Sequence, residues 1–291
     1  MTDSELPAAP RKSRAGRNLP MAIAVGLGLF AYVVVTLTWA PVGFIVLLVV
    51  LTSLGAIEVH NALQRVGMTS AIIPVVLGNV FIIGGSYAAA VYQPVTRLPW
   101  HIVLLGTIGG TVLLALIWRM FGGAEQYARD SAASLFIIGY IPLLASFAGL
   151  ILAQEHGVAK VVVVFLAITA SDTGGYAAGA TLGRHPMAPT ISPKKTWEGM
   201  AGSVVLATVV SVLMSVFVLN QPWWFGVVLA ITVVITGTAG DLIESLIKRD
   251  VGIKDMSSFL PGHGGVMDRL DSTLVAAPAA WLLFTLAGIH W

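Results

Sequence analysis

Carboxylates and cations crowd into one short stretch of an otherwise apolar chain. From Asp241 to Asp271 there are six Asp or Glu residues, together with Lys248, Arg249, Lys254 and Arg269. Only 10% of the 291 residues are charged, so such a concentration needs a reason. Opposite charges gathered beside apolar runs suit metal and phosphate chemistry at a membrane surface. Asp241, Glu244, Ser245 and Lys248 are spaced i, i+3, i+4 and i+7, which puts all four on one helical face. Asp268 and Asp271 are three apart and share a face in the same way. Between these halves lies Pro261-Gly262-His263-Gly264-Gly265. Proline interrupts a helix, and the glycines permit φ > 0 and leave backbone N–H groups open to an anion. An ordinary loop with helix caps would account for one carboxylate pair. The whole constellation favours function.

A second group of candidates lies upstream. Ser171-Asp172-Thr173-Gly174-Gly175-Tyr176 ends an apolar run. Asp172 would sit roughly 12 Å deep from the nearer end of a helix rising 1.5 Å per residue. An ionisable group there costs a few kcal/mol unless paired or hydrated. The next loop carries Ser192-Pro193-Lys194-Lys195-Thr196-Trp197-Glu198-Gly199. Ser192, Pro193, Thr196 and Glu198 are helix-start signals. Lys194 and Lys195 at a helix N-terminus also make a polyphosphate site, because ammonium charge, free N–H groups and the helix dipole all favour an anion.

These stretches resemble the phosphatidate cytidylyltransferases, or CDP-diacylglycerol synthases. That signature is matched by Ser245, Lys248-Arg249, Lys254-Asp255, Pro261 to Gly265 and Asp268-Arg269-Leu270-Asp271. A second region of the family is matched by Ser171 to Gly174 and by the Ser192 to Gly199 loop. The resemblance covers about Ser171 to Ser272; the first 150 residues match only in being hydrophobic. It implies a reaction of CTP with phosphatidic acid giving CDP-diacylglycerol and pyrophosphate, in which lipid phosphate is the nucleophile. On that basis Asp172, Asp241, Asp268 and Asp271 are expected to hold Mg²⁺, with room for a second cation. Lys194, Lys195, Lys248, Arg249 and Arg269 are expected to hold phosphates. Ser192, Glu198 and Ser245 are expected as further contacts, and His263, Gly264 and Gly265 as part of the substrate loop. Asp172, Asp241, Lys248, Asp268 and Asp271 are the expected catalytic set.

The elements that must position these groups are membrane helices. Composition is 57% hydrophobic and mean hydropathy is +0.88, which excludes an ordinary soluble domain. Net charge is only +2, so nothing points to nucleic acid. There is no cysteine, which leaves oxygen or histidine as metal ligands. The expected class is an all-α polytopic membrane protein with about nine spans, near 18–38, 41–58, 71–92, 100–120, 132–153, 159–181, 199–219, 222–247 and 272–290. The second is the shortest and least secure. With a cytoplasmic basic tail at 1–17 and an outer C-terminus, only Arg97 and Lys160 of the sixteen Lys and Arg residues fall outside. Residues 18–155 form the first five spans, and 156–291 the four that carry the chemistry. The site then faces the cytoplasm at the cell membrane, where CTP is found. A homodimer is kept open.

Weaker candidates are read as interfacial and topogenic. These are Glu58, His60 and Arg65 in a first inner loop, and Glu125, Arg129 and Asp130 in a second. A transporter or channel is the rival class, since an intramembrane aspartate and broken helices occur there too. Against it, the charges gather at one face and do not cross the membrane. A CTP-dependent lipid kinase and an ether-lipid cytidylyltransferase also remain open, although no Gly-x-x-x-x-Gly-Lys-Ser/Thr loop is present.

Overall fold

A computed structural model describes residues 19–93, 97–257 and 264–288, with side chains from Gly26 onward. The chain forms α1 (Leu19–Trp39), α2 (Pro41–Gln64), α3 (Ile72–Val91), α4 (Trp100–Met120), α5 (Tyr127–Tyr140) and α6 (Pro142–Leu152). Next come α7 (Gly157–Leu182), the strands β1 (Pro186–Ala188) and β2 (Ser192–Thr196), α8 (Trp197–Phe217), α9 (Trp223–Asp250) and α10 (Met267–Leu286). Over its described residues each expected span coincides with one helix, or, for 132–153, with α5 and α6 together. Among the described residues, seven segments are long and apolar enough to cross a membrane: α2, α3, α4, α5 with α6, α7, α8 and α9. The second span is corrected. It is 24 residues long and the most apolar of the seven, so it is neither short nor insecure.

Local sequence explains the breaks. Pro41 and Pro142 occupy first-turn positions, where a missing N–H costs nothing. A π-helical segment, Val80–Gly85, interrupts α3 just after the buried Asn79. The Asn79 amide donates to Thr52 Oγ1 at 2.9 Å and to the Val49 carbonyl at 3.1 Å, which satisfies a polar group within an apolar bundle.

The loop between α7 and α8 is more than a helix cap. β1 and β2 pair antiparallel, Pro186 opposite Thr196 and Ala188 opposite Ser192, so Lys194 and Lys195 project from a hairpin. Below it α7 and α8 cross in backbone contact. A Cβ on Gly174 would lie 2.4 Å from the Gly202 carbonyl oxygen, so only glycine allows this approach. Ser203 Oγ adds a 2.7 Å bond to the Ser171 carbonyl across the crossing.

One apolar core runs from Leu37 in α1 to Phe284 in α10, and α10 packs on α2, α6 and α9. The charged clusters gather at one end of this bundle, where the C-terminal ends of α2, α7 and α9 meet the N-terminal ends of α5, α8 and α10. Two sequence readings change here, those of Glu58 with His60 and of Asp130. Glu58 and His60 lie inside α2 and are buried, not in a loop. Asp130 is buried in the first turn of α5, paired with Arg119 at 2.7 Å and accepting from Thr69 N at 2.7 Å. Lys160 is only 2% exposed, bonded to Gln154 Oε1 at 3.0 Å. Glu58 and Asp130 take partners distant in sequence, Val266 N and Thr69 N, which local periodicity does not reveal.

Candidate functional site

The hairpin, α7, α8 and α9 enclose a cleft of about 390 Å³, with Ser272 of α10 on its wall. Asp172 enters from α7, Asp241 from α9, and Ser192, Lys194 and Lys195 from β2. Lys195 Nζ lies 2.6 Å from Asp241 Oδ2. Ser171, Thr238 and Ser203 supply hydroxyl groups, and Tyr176 stands on the rim, 80% exposed. Thus residues far apart in sequence, from Ser171 to Ser272, converge on one cleft, with the hairpin folded back over α9. Arg249 holds it there, its Nε donating to the Ile191 carbonyl at 3.3 Å.

Asp271 is drawn to the same place by helix packing. A Cβ on Gly240 would lie 2.3 Å from the Asp271 carbonyl oxygen, so α10 meets α9 one residue before Asp241. Asp271, Asp241 and Asp172 are near enough to interact through charge. Asp271 Oδ1 also accepts from Ser272 N at 2.7 Å. Three carboxylates therefore face two lysines in and beside one cleft.

A second cluster lies beside the cleft. Lys248 Nζ donates to Glu244 Oε2 at 2.5 Å and to Asp268 Oδ1 at 2.8 Å. Asp268 Oδ2 accepts from Gly265 N at 2.9 Å and Met256 N at 3.3 Å. Asp268 thus ties down both ends of the loop that precedes α10. Glu244 is 1% exposed, and among the described residues its Oε1 has no hydrogen-bond partner.

The expected site residues divide accordingly. Asp172, Asp241, Ser192, Lys194 and Lys195 line the cleft, and Asp271 adjoins it. Lys248 and Asp268 form the neighbouring cluster with Gly265. Glu198 faces away: its carboxylate accepts from Arg184 N at 3.1 Å and His185 N at 3.2 Å, and pairs with His185 Nδ1 at 2.5 Å. It braces the hairpin base. Ser245, Arg249, Gly264 and Arg269 are not on the cleft wall. Gly264 takes φ +86°, as its place in a tight loop requires. His263 lies outside the described residues.

The donor chemistry fits a hard divalent cation. Among the described residues no three His, Cys, Asp or Glu side chains stand as a ready metal cage. Mg²⁺ does not need one, because it keeps waters and takes one or two carboxylates alongside substrate phosphates. Asp172 and Asp241 on one cleft are a set of that kind.

Glu58, read from the sequence as interfacial and topogenic, is instead tied to the start of α10. It is 6% exposed, and its carboxylate accepts from Val266 N at 2.9 Å and Met267 N at 2.8 Å. Ser257 Oγ makes a further, very short bond to it. The available signal was a carboxylate flanked by Ile57 and Val59.

Known proteins resemble this chain over most of its length. A model of the cytidylyltransferase family matches residues 20–287, well beyond the C-terminal motifs. The phosphatidate cytidylyltransferase of Mycobacterium leprae is 39% identical over 94% of this chain and 89% of its own length. That of Mycobacterium tuberculosis is 39% identical over 96% of this chain and 86% of its own. That of Staphylococcus saprophyticus is 37% identical over 150 residues, 51% of this chain and 57% of its own length. With a match from the first helix to the last, and lysines and carboxylates meeting in one cleft, the chain belongs to the cytidylyltransferase family.

Proposed function

We propose that the protein transfers the cytidylyl group of CTP to phosphatidic acid, releasing pyrophosphate and forming CDP-diacylglycerol. The single observation that carries this is the cleft in which Lys194 and Lys195 face Asp172 and Asp241. A lipid phosphate oxygen attacks the α-phosphorus of CTP. The bond from that phosphorus to the bridging oxygen breaks, and pyrophosphate leaves with the electron pair. No protein nucleophile is required, so the site has only to align two anions and offset their charge.

Lys194 and Lys195 bind triphosphate oxygens, Lys195 exchanging its contact with Asp241 for phosphate. Asp172, Asp241 and Asp271 would hold Mg²⁺, which when bound offsets phosphate charge during the transfer. Asp268 and Lys248 keep the N-terminal turn of α10 against α9, so that Asp271 stays beside Asp241. The exposed outer face of α7, with Tyr176 and Leu182, is where acyl chains reach the cleft from the bilayer. We take the bundle as nine spans in the cytoplasmic membrane, N-terminus inside and C-terminus outside. The excess of lysine and arginine at the site end supports this orientation.

The test is purified protein with CTP, phosphatidic acid and Mg²⁺. Label from the α-phosphate should enter lipid, and label from the γ-phosphate should appear in pyrophosphate. γ-Label in lipid would mean a kinase. No CTP consumption under these conditions would refute the reading.

A further inference from the structure

We propose that Glu58, on the second helix, is a positioning residue for the reaction, an inference that rests on the cytidylyltransferase reading above. It acts by seating the start of α10. The first N–H groups of any helix lack partners within it. Val266 occupies the N-cap of α10, and its apolar side chain cannot accept a bond. Glu58 supplies both acceptors from another helix, Oε1 to Val266 N at 2.9 Å and Oε2 to Met267 N at 2.8 Å. A carboxylate there also complements the positive end of the helix dipole.

The grip is two-sided. A Cβ on Gly265 would lie 2.9 Å from both Asp268 Oδ2 and Glu58 Oε2, so the backbone is held between the two carboxylates. Asp268 follows Met267 directly, and Asp271 comes one turn later beside Asp241. A shift at Met267 is therefore passed along a rigid helix to Asp271. Glu58 is not among the residues lining the cleft. Its effect should fall on how well the carboxylates are placed, not on how tightly CTP binds.

Glu58→Gln keeps the shape but replaces one acceptor with an NH₂ group facing an N–H. Two readouts are needed: turnover with CTP, phosphatidic acid and Mg²⁺, and amide hydrogen exchange at Val266 and Met267 without substrate or metal. The expected result is kcat lower by about tenfold or more, with KM for CTP changed less than about twofold. Exchange at the two amides should quicken. Glu58→Asp, which retains both acceptors on a shorter arm, should recover part of the loss. Wild-type kcat in Glu58→Gln overturns the proposal, as does unchanged exchange. So does a loss confined to KM. Should Glu58→Gln fail to give folded protein, Glu58→Asp is judged on the same readouts, and wild-type values in both overturn it. Should the wild type itself not turn over CTP, the functional reading fails and exchange alone decides whether Glu58 seats α10.

Discussion

Lys195 on the hairpin and Asp241 on α9 form an ion pair at 2.6 Å across the cleft mouth, with both side chains partly open, 23% and 38% exposed. An exposed pair of this kind adds at most about 1 kcal/mol to stability. Its loss should therefore show in function. Lys194→Ala with Lys195→Ala is expected to lower kcat/KM for CTP by about 100-fold or more, since each charged bond to phosphate contributes about 1.5–3 kcal/mol. The melting temperature should move by only a few degrees. Unaltered kcat/KM would remove the hairpin from the phosphate site.

The two α10 aspartates should behave differently. Asp271→Asn is expected to abolish nearly all turnover while leaving the protein as stable as wild type. Asp268→Asn breaks a pair that is 15% and 12% exposed and weakens the loop anchor. It should cost about 3 kcal/mol of stability as well as activity. Activity and thermal melts measured together decide this. Equal stability in both variants would mean that Asp268 does not anchor the loop.

Chelation should stop the reaction, and Mg²⁺ should restore it. Asp172→Asn and Asp241→Asn are expected to raise the Mg²⁺ concentration needed for half-maximal rate. A magnesium titration with the same curve in all three proteins would dismiss the cleft as the cation site.

Gly240→Ala tests the helix contact itself. With its Cβ 2.3 Å from the Asp271 carbonyl oxygen, α10 must move away from α9. A destabilisation of about 1–3 kcal/mol is expected, with a larger fall in kcat. Retained kcat would show that the spacing between Asp241 and Asp271 is not critical.

The chain has no cysteine, so single cysteines report sidedness cleanly. Gln221→Cys should react with an impermeant thiol reagent applied to intact cells. Asp255→Cys, in the exposed loop after α9, should not. Asp255 is preferable to its neighbour Met256, which is buried. The opposite labelling would invert the bundle.

Hydropathy alone made the spans legible, because lipid demands apolar runs of helical length. Motif spacing identified Asp172, Asp241 and the lysine pair, which do meet in one cleft. It did not show that Glu198 turns to His185 or that Lys248 engages Asp268, because residues 13 and 20 apart meet only through tertiary folding. Pro186 and Pro193 disguised the short strands as a plain loop. Glu58 was assigned to a loop because its donors lie about 200 residues downstream.

That distance shapes how the protein is made. Of the bonds to Glu58 named above, all three come from Ser257, Val266 and Met267. During synthesis α2 enters the membrane long before these residues leave the ribosome. For that interval an ionisable group in the bundle lacks its final partners, at a cost of a few kcal/mol. The last helix closes the site and also relieves the second. A chain cut short before α10 leaves the Glu58 carboxylate without the donors Val266 N and Met267 N.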